Sequence, residues 1–262
     1  MSFLRMVGRF LICSMVTFVG WIVLVLGHFP ANALGPDQLA RWRSFCTRHW
    51  ARTMAKVVGM RIHVEGSPRG GFLVANHLSY MDIIVLGAVT GTGFVSKAEV
   101  ADWPGLGIAA RSVGTLFLDR GRKRELVKMA SQMRDRISHG QSLVLFPEGT
   151  STKGEEVLTF RSSLLEPAAE AEIPVGYAAL HYRTPEGSPP AYLSVCWWGE
   201  MTLGPHLLTL LAMPSFDATV AFGPEPIADP DRKALAAKLH RAVSGLFRPT
   251  MDTTEVCLTT PT

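Results

Sequence analysis

Residues 10–29 contain no Asp, Glu, Lys or Arg, and Arg5 and Arg9 stand just before them. A bilayer-crossing helix needs ~20 largely apolar residues, so this stretch is long enough to enter or span a membrane. After Pro36, Leu39, Trp42, Cys46, Trp50, Met54 and Val57 recur at helical spacing. Arg41, Arg48, Arg52 and Lys56 follow another side, and Gly59 is placed to end that helix. Strand and helix signals then alternate. Residues 60–65, 72–75, 94–96, 115–118, 143–146, 173–179, 192–197 and 218–222 are strand candidates. Helices are expected at 80–88, at 126–137 with Gly140 as terminator, and at 164–171. A last helix, with Asp229 as N-cap and Pro230 at its first position, carries Leu235, Leu239, Val243 and Leu246. The run 206–213, between Pro205 and Pro214, is too short to span and reads as a core helix or a second membrane-touching segment. Alternating strands and helices imply an α/β fold, a layered sheet with flanking helices, preceded by an N-terminal membrane-associated helical segment. The organisation expected is anchor and basic amphipathic interfacial helix at 1–58, main domain at 59–248 and a tail at 249–262.

Composition narrows the classes. Of 262 residues, 47% are hydrophobic and only 18% charged, with 13 Phe and 6 Trp, which excludes an intrinsically disordered chain. Mean hydropathy is +0.19, yet few windows are apolar enough to span, so a polytopic transporter does not fit. Cys13, Cys46, Cys196 and Cys257 are scattered without a CxxC pair or a Cys/His cluster, and no metal site is expected. The net charge of +4 suits an anionic membrane surface or substrate without singling out nucleic acid, and no nucleic acid partner is expected. For the first apolar stretch, a retained anchor competes with a cleaved leader ending at Ala31-Asn32-Ala33 and with a shallow interfacial helix. Its length exceeds the ~7–15 residues of a signal core and favours the anchor. For the Trp-bearing helix, lying among headgroups competes with ordinary packing of one face on the core.

The chain has no GxxxxGK[ST] loop, HExxH or GxSxG. It does have Asn76-His77-Leu78-Ser79-Tyr80-Met81-Asp82 at the end of a buried strand. Ser79 and Asp82 are spaced as a capping box for the next helix, which would leave His77 incidental. Alternatively, residues five apart on one helix lie ~140° apart, so His77 must precede the helix for Asp82 in its first turn to reach the imidazole. A carboxylate so placed fixes the tautomer and leaves the other ring nitrogen as a base. Phe146-Pro147-Glu148-Gly149-Thr150 again follows an apolar strand, either as a plain turn or as part of a ligand site at the strand ends. Between the two lies Gly114-Thr115-Leu116-Phe117-Leu118-Asp119-Arg120, whose Arg120 is either a solvated turn residue or a bidentate phosphate contact.

In this order and spacing, NHxxxxD, GxxFxxR, FPEGT and Ile173-Pro174-Val175 resemble the four blocks of the glycerolipid and lysophospholipid acyltransferases of the 1-acyl-sn-glycerol-3-phosphate acyltransferase type. Lys97, Pro104 and Gly107 also match that family, and the resemblance covers residues 60–222. It implies His77 and Asp82 as the catalytic pair, and substrate contacts from Asn76, Lys97, Arg120, Glu148, Gly149 and Thr150. Oxyanion stabilisation is implied around Pro147 and Gly149 or by another nearby amide. It further implies acyl transfer from acyl-CoA or acyl-carrier protein to a lysolipid hydroxyl, most simply 1-acyl-glycerol-3-phosphate giving phosphatidic acid. No cofactor is implied, membrane lipids are the partners, and the expected location is the inner membrane with the catalytic domain facing the cytoplasm. Two departures bear on the acceptor. Ser151-Thr152 stands where many phosphatidate-forming members carry Arg, and Phe160-Arg161 where they carry Phe-Lys. The tract from Trp197-Trp198-Gly199-Glu200-Met201 to Leu208 resembles a bacterial subgroup that includes lyso-ornithine lipid acyltransferases, the alternative acceptor class. A membrane lipid-binding protein without chemistry is the non-enzyme alternative.

Overall fold

Two long helices open the chain, α1 (Ser2–Ala33) and α2 (Pro36–Val58). The structure, a computed structural model, describes residues 2–102, 106–118 and 123–250. After the helices come β1 (Met60–Glu65), β2 (Phe72–Ala75), α3 (Met81–Thr90), β3 (Gly93–Lys97), α4 (Leu106–Ser112), β4 (Leu116–Leu118) and α5 (Lys123–Ser138). They are followed by β5 (Leu143–Leu145), α6 (Ser162–Glu170), β6 (Val175–Arg183), α7 (Ala191–Ser194), α8 (Leu203–Ala212), β7 (Phe216–Phe222) and α9 (Arg232–Leu246). The strands form one seven-stranded sheet in the order β1-β7-β6-β2-β5-β3-β4. Every pairing is parallel except β6 with β7.

Side chains alternate across a strand, so each buried strand feeds two cores. From β2, Leu73 and Ala75 join the core on the side of α2, α3 and α8, whereas Phe72 and Val74 face the side of α5, α6 and α9. This makes a helix–sheet–helix sandwich, the layered α/β class the alternation implied. Because β2, β5 and β6 are parallel neighbours, the loops after β2 and β5 and the last residues of β6 meet at one carboxyl edge of the sheet.

Two local expectations are corrected. Residues 192–197 are not a strand: Pro190 precedes the single turn α7, and the Leu193 and Ser194 amides donate to its carbonyl at 3.0 and 3.1 Å. A short apolar run behind a Pro-Pro pair carries no periodicity to separate strand from helical turn, and here burial of Val195 and Cys196 explains its composition. The last helix is capped by Asp231, whose Oδ1 accepts the Lys233 and Ala234 amides at 2.8 Å, and not by Asp229. Asp229 instead accepts the Asp231 amide and the Lys238 ammonium, bracing the turn before the helix.

The N-terminal helices are built into the same body. Ala51, Ala55 and Val58 of α2 lie in the core, and Gly59 ends the helix in the left-handed conformation at φ 78°. Both tryptophans of α2 turn toward α1. The Trp50 indole donates to Thr17 Oγ1 at 3.2 Å and the Trp42 indole to the Leu24 carbonyl at 3.1 Å. Trp42 sits where Gly27 has no side chain; a Cβ there would lie 2.2 Å from its ring. Arg5 donates to the Ala212 carbonyl, and Arg9 to those of Leu211, Met213 and Pro214, so these two cations cap the carboxyl end of α8. Arg48 and Arg52 do the same for α3 through Thr90 and Ala88. The amphipathic pattern of α2 is thus largely an intramolecular packing pattern.

Candidate active site

His77 lies in the loop between β2 and α3, as the five-residue spacing requires. Its Nδ1 donates to Asp82 Oδ2 at 2.7 Å. The same oxygen accepts the Leu78 and Ser79 amides at 2.7 and 3.0 Å, so the reciprocal half of a capping box and the imidazole contact are one carboxylate. Ser79 Oγ in turn accepts the Met81 amide. Helix capping and an imidazole contact, which stood as competitors in the sequence, coincide here. Asp82 is fully buried, while the His77 side chain remains 22% exposed. The Phe146 ring stacks on the imidazole, centroids 4.2 Å apart and planes 14° apart.

Sequence reasoning missed Tyr182. At the far end of β6 it donates from Oη to Asp82 Oδ1 at 2.6 Å and is essentially inaccessible. Burial, followed by the neighbouring Asp82 charge, pushes this phenol well above its ordinary range, so it stays protonated and donates. The available signal was faint: Ala178, Leu180 and Tyr182 share one strand face toward α3, and Tyr182 is the polar residue closing that row.

The second loop holds the first in place. Glu148 is only 2% exposed; its Oε1 accepts the His77 amide at 2.7 Å and its Oε2 the Leu158 amide at 3.0 Å. Burial pushes its carboxyl up to about 7, against the lowering effect of those two amides. The Thr152 amide donates to the His77 carbonyl at 3.0 Å. Asn76 exchanges two hydrogen bonds with the Leu180 main chain, at 3.1 and 2.7 Å, extending the β2–β6 ladder by a side chain. Asn76 and Glu148 therefore face inward and hold the fold of the site, in place of the direct substrate contact expected of them. Buried amides need acceptors, and these two side chains supply them.

The oxyanion expectation also changes. Pro147 has no N–H, and the Gly149 amide is taken by the Phe146 carbonyl at 3.1 Å in a turn that puts Gly149 at φ 74°. Thr150 is exposed beside them. Arg161 donates from Nε to the Glu148 carbonyl at 3.2 Å, bracing the loop from outside. Arg120 and Pro104 lie outside the described residues, as does the side chain of Lys97. Ser151 Oγ donates to the Trp197 carbonyl, and the Trp197 amide to the Leu78 carbonyl at 2.9 Å. Residues 195–201 are thereby strapped across both loops.

Next to Asp82, Met81 opens on an apolar cavity of about 560 Å³ between α1, α2, α4 and α8, lined among others by Phe10, Thr17, Met54, Val58 and Leu211. Among the described residues no group of three His, Cys, Asp or Glu side chains is placed to hold a metal ion.

Residues 59–176 match the family described as Acyltransferase. The lyso-ornithine lipid O-acyltransferase of Brucella abortus is 34% identical over 243 residues, covering 87% of this chain and 91% of the relative. The 1-acyl-sn-glycerol-3-phosphate acyltransferase of Neisseria gonorrhoeae is 27% identical over 187 residues, covering 71% and 72%. The crystal structure of the 1-acyl-sn-glycerophosphate acyltransferase PlsC of Thermotoga maritima shares the fold, with a TM-score of 0.64 at 20% identity over 93% of this chain and 95% of that one. The chain belongs to the acyltransferase family. Within it, it is an enzyme of the lysophospholipid acyltransferase type, which sets aside the non-catalytic lipid-binding reading.

Proposed function

We propose that the protein transfers a fatty acyl group from acyl-CoA or acyl-carrier protein to the hydroxyl of a lyso-ornithine lipid. The chemistry is argued from the carboxylate-held imidazole. With Nδ1–H engaged by Asp82 and the ring stacked on Phe146, the other ring nitrogen is a base of fixed orientation. His77 Nε2 takes the proton of the acceptor hydroxyl as its oxygen attacks the thioester carbonyl. Asp82 stabilises the imidazolium that forms, and collapse of the tetrahedral intermediate expels the thiolate, which recovers the proton from His77. The apolar cavity beginning at Met81 suits a hydrocarbon chain.

The headgroup is argued from the relatives. Those named lyso-ornithine lipid O-acyltransferases are 33–36% identical over most of the chain, whereas the Neisseria 1-acyl-sn-glycerol-3-phosphate enzyme is 27% identical. The Ser151–Trp197 bond is consistent with this, since the position where phosphatidate-forming members carry Arg here ties down a strap. Labelled acyl-CoA offered to membranes with lyso-ornithine lipid, lysophosphatidate and lysophosphatidylcholine in parallel is expected to label the first product fastest. Faster labelling of phosphatidic acid would return the assignment to the glycerophosphate acceptor.

Tyr182→Phe tests the support of the dyad. Without the Tyr182 hydroxyl, Asp82 Oδ1 loses its donor and the carboxylate holds the imidazole less firmly. A loss of ~10-fold in kcat is expected with KM nearly unchanged. An unchanged kcat would reduce Tyr182 to packing.

Membrane attachment is argued from α1, whose Phe3, Leu4, Val7, Phe10, Leu11, Met15 and Phe18 are exposed along the helix, with Ile108 of α4 beside Phe10 and Phe18. Arg5 and Arg9 near one end and Leu24 further along are tied to the body, so this helix lies along the membrane face and does not leave the body to cross the bilayer. The inner membrane, with the catalytic domain on the cytoplasmic side where thioester donors are found, is the location this reading assigns.

A further inference from the structure

A second cavity, of about 300 Å³, lies beneath the later turns of α1. Arg43, one of its lining residues, packs against Gly114 just before β4 begins, which places the cavity at the amino edge of the sheet, away from His77. One wall is apolar and comes from the membrane helix: Leu24, Val25 and Phe29, the last 72% exposed. The other carries Arg43 of α2 and Arg111 at the end of α4, with His28 at the rim.

Among the described residues these cations have little counter-charge. Arg43 Nε is buried without a hydrogen-bond partner, and among the described residues Arg43 forms no ion pair. Arg136 comes in from behind: a Cβ on Gly114 would lie 2.7 Å from its Nη1 and 3.4 Å from Arg43 Cδ. Among the described residues its guanidinium bonds the neutral Gln141 amide, at 2.7 Å, and the adjacent Asp135, which pairs with His139, offsets its charge in part. Arg111 stands 3.9 Å from Asp102 in a well-exposed pair, which neutralises little. Burial, then the charge of Arg136, lowers the proton affinity of Arg43, the signature of crowded positive charge.

We propose that this cavity binds the headgroup of an anionic phospholipid from the surrounding bilayer. Its phosphate sits between the Arg43 and Arg111 guanidiniums and an acyl chain follows Leu24, Val25 and Phe29. Guanidinium forks match phosphate oxygens in pairs. The apolar wall favours a lipid over a free anion, because it belongs to the helix that already faces hydrocarbon. The site is separate from the acceptor and donor sites and independent of which lysolipid is acylated.

Native mass spectrometry of the full chain, released from micelles doped with phosphatidylglycerol or phosphatidylcholine, reads the site without turnover. One retained phosphatidylglycerol per chain is expected, and no phosphatidylcholine. Arg43→Gln with Arg111→Gln should lower retention ~10-fold or more, the scale of losing charge-assisted bonds. Arg111→Gln alone, at an exposed position that places no demand on folding, should lower it partly. Arg69→Gln with Arg134→Gln removes the same charge from exposed positions elsewhere and should retain the lipid. Equal retention in the first pair or in Arg111→Gln overturns the site. Equal loss in the second pair reduces it to general charge attraction, and displacement by millimolar inorganic phosphate makes it a site for free anions.

Discussion

His77→Ala is expected to lose ~10²–10⁴-fold in turnover, the range that a positioned general base contributes, with the acceptor KM little changed. The reason is geometric. Glu148 has both oxygens engaged by main-chain amides and is nearly inaccessible. His206, a buried imidazole near this loop, shares a 2.9 Å hydrogen bond with Tyr80, and its remaining nitrogen is buried. Burial lowers the proton affinity of His206 as well, which makes it a poor replacement base. Transfer of label from radiolabelled acyl-CoA to lysolipid, with unfolding followed in parallel to show that the variant is intact, decides the matter. Turnover within a few-fold of the parent would remove His77 from the chemistry.

Glu148→Gln is expected to change how stability depends on pH. In the folded chain burial holds the Glu148 carboxyl at about 7 against an ordinary 4.5. Between those values the folded state keeps a proton that the unfolded state has released. Its contribution is fully present below about pH 4.5 and is lost as pH rises through about 7. A shift of this size corresponds to about 3 kcal/mol. Gln cannot titrate, and its amide must present N–H₂ to one of two main-chain donors, a pH-independent penalty of about 1–3 kcal/mol. The stability difference between parent and variant, from urea unfolding at pH 5 and pH 8, should therefore shrink by about 3 kcal/mol toward the higher pH. A difference that stays constant would mean the carboxyl is already ionised at pH 5.

Much of this was legible in the chain because local physics produced it. The period of α2, the left-handed Gly59, the buried β2 and the His77–Asp82 spacing each depend on residues near one another, and each appears as expected. What stayed hidden depends on partners far away in sequence. Tyr182 is 100 residues from Asp82, and nothing in its neighbouring residues tells which acceptor its hydroxyl meets. Asn76 and Glu148 carry the residue types of ligand contacts, yet they serve main-chain amides 104 and 71 residues distant. Arg5 and Arg9 look like flanking membrane charges until α8, some 200 residues later, presents its carbonyls. Charge and polarity give a residue's chemistry; only the fold decides who uses it.

The grip of α1 on the body has a consequence for how the enzyme meets its substrate. Held by Arg5 and Arg9 at one end and by the Trp42 indole further along, the helix acts as a keel and not as a mooring line. A protein on a flexible tether samples many heights and tilts above the lipid plane. Under the attachment proposed above, this one floats at one draught, with the cavity beside Met81 turned toward the hydrocarbon and His77 at a set level above it. The reach needed to join hydroxyl and imidazole must then come from the lysolipid, which has only to rise far enough from its leaflet to bring its oxygen to that level.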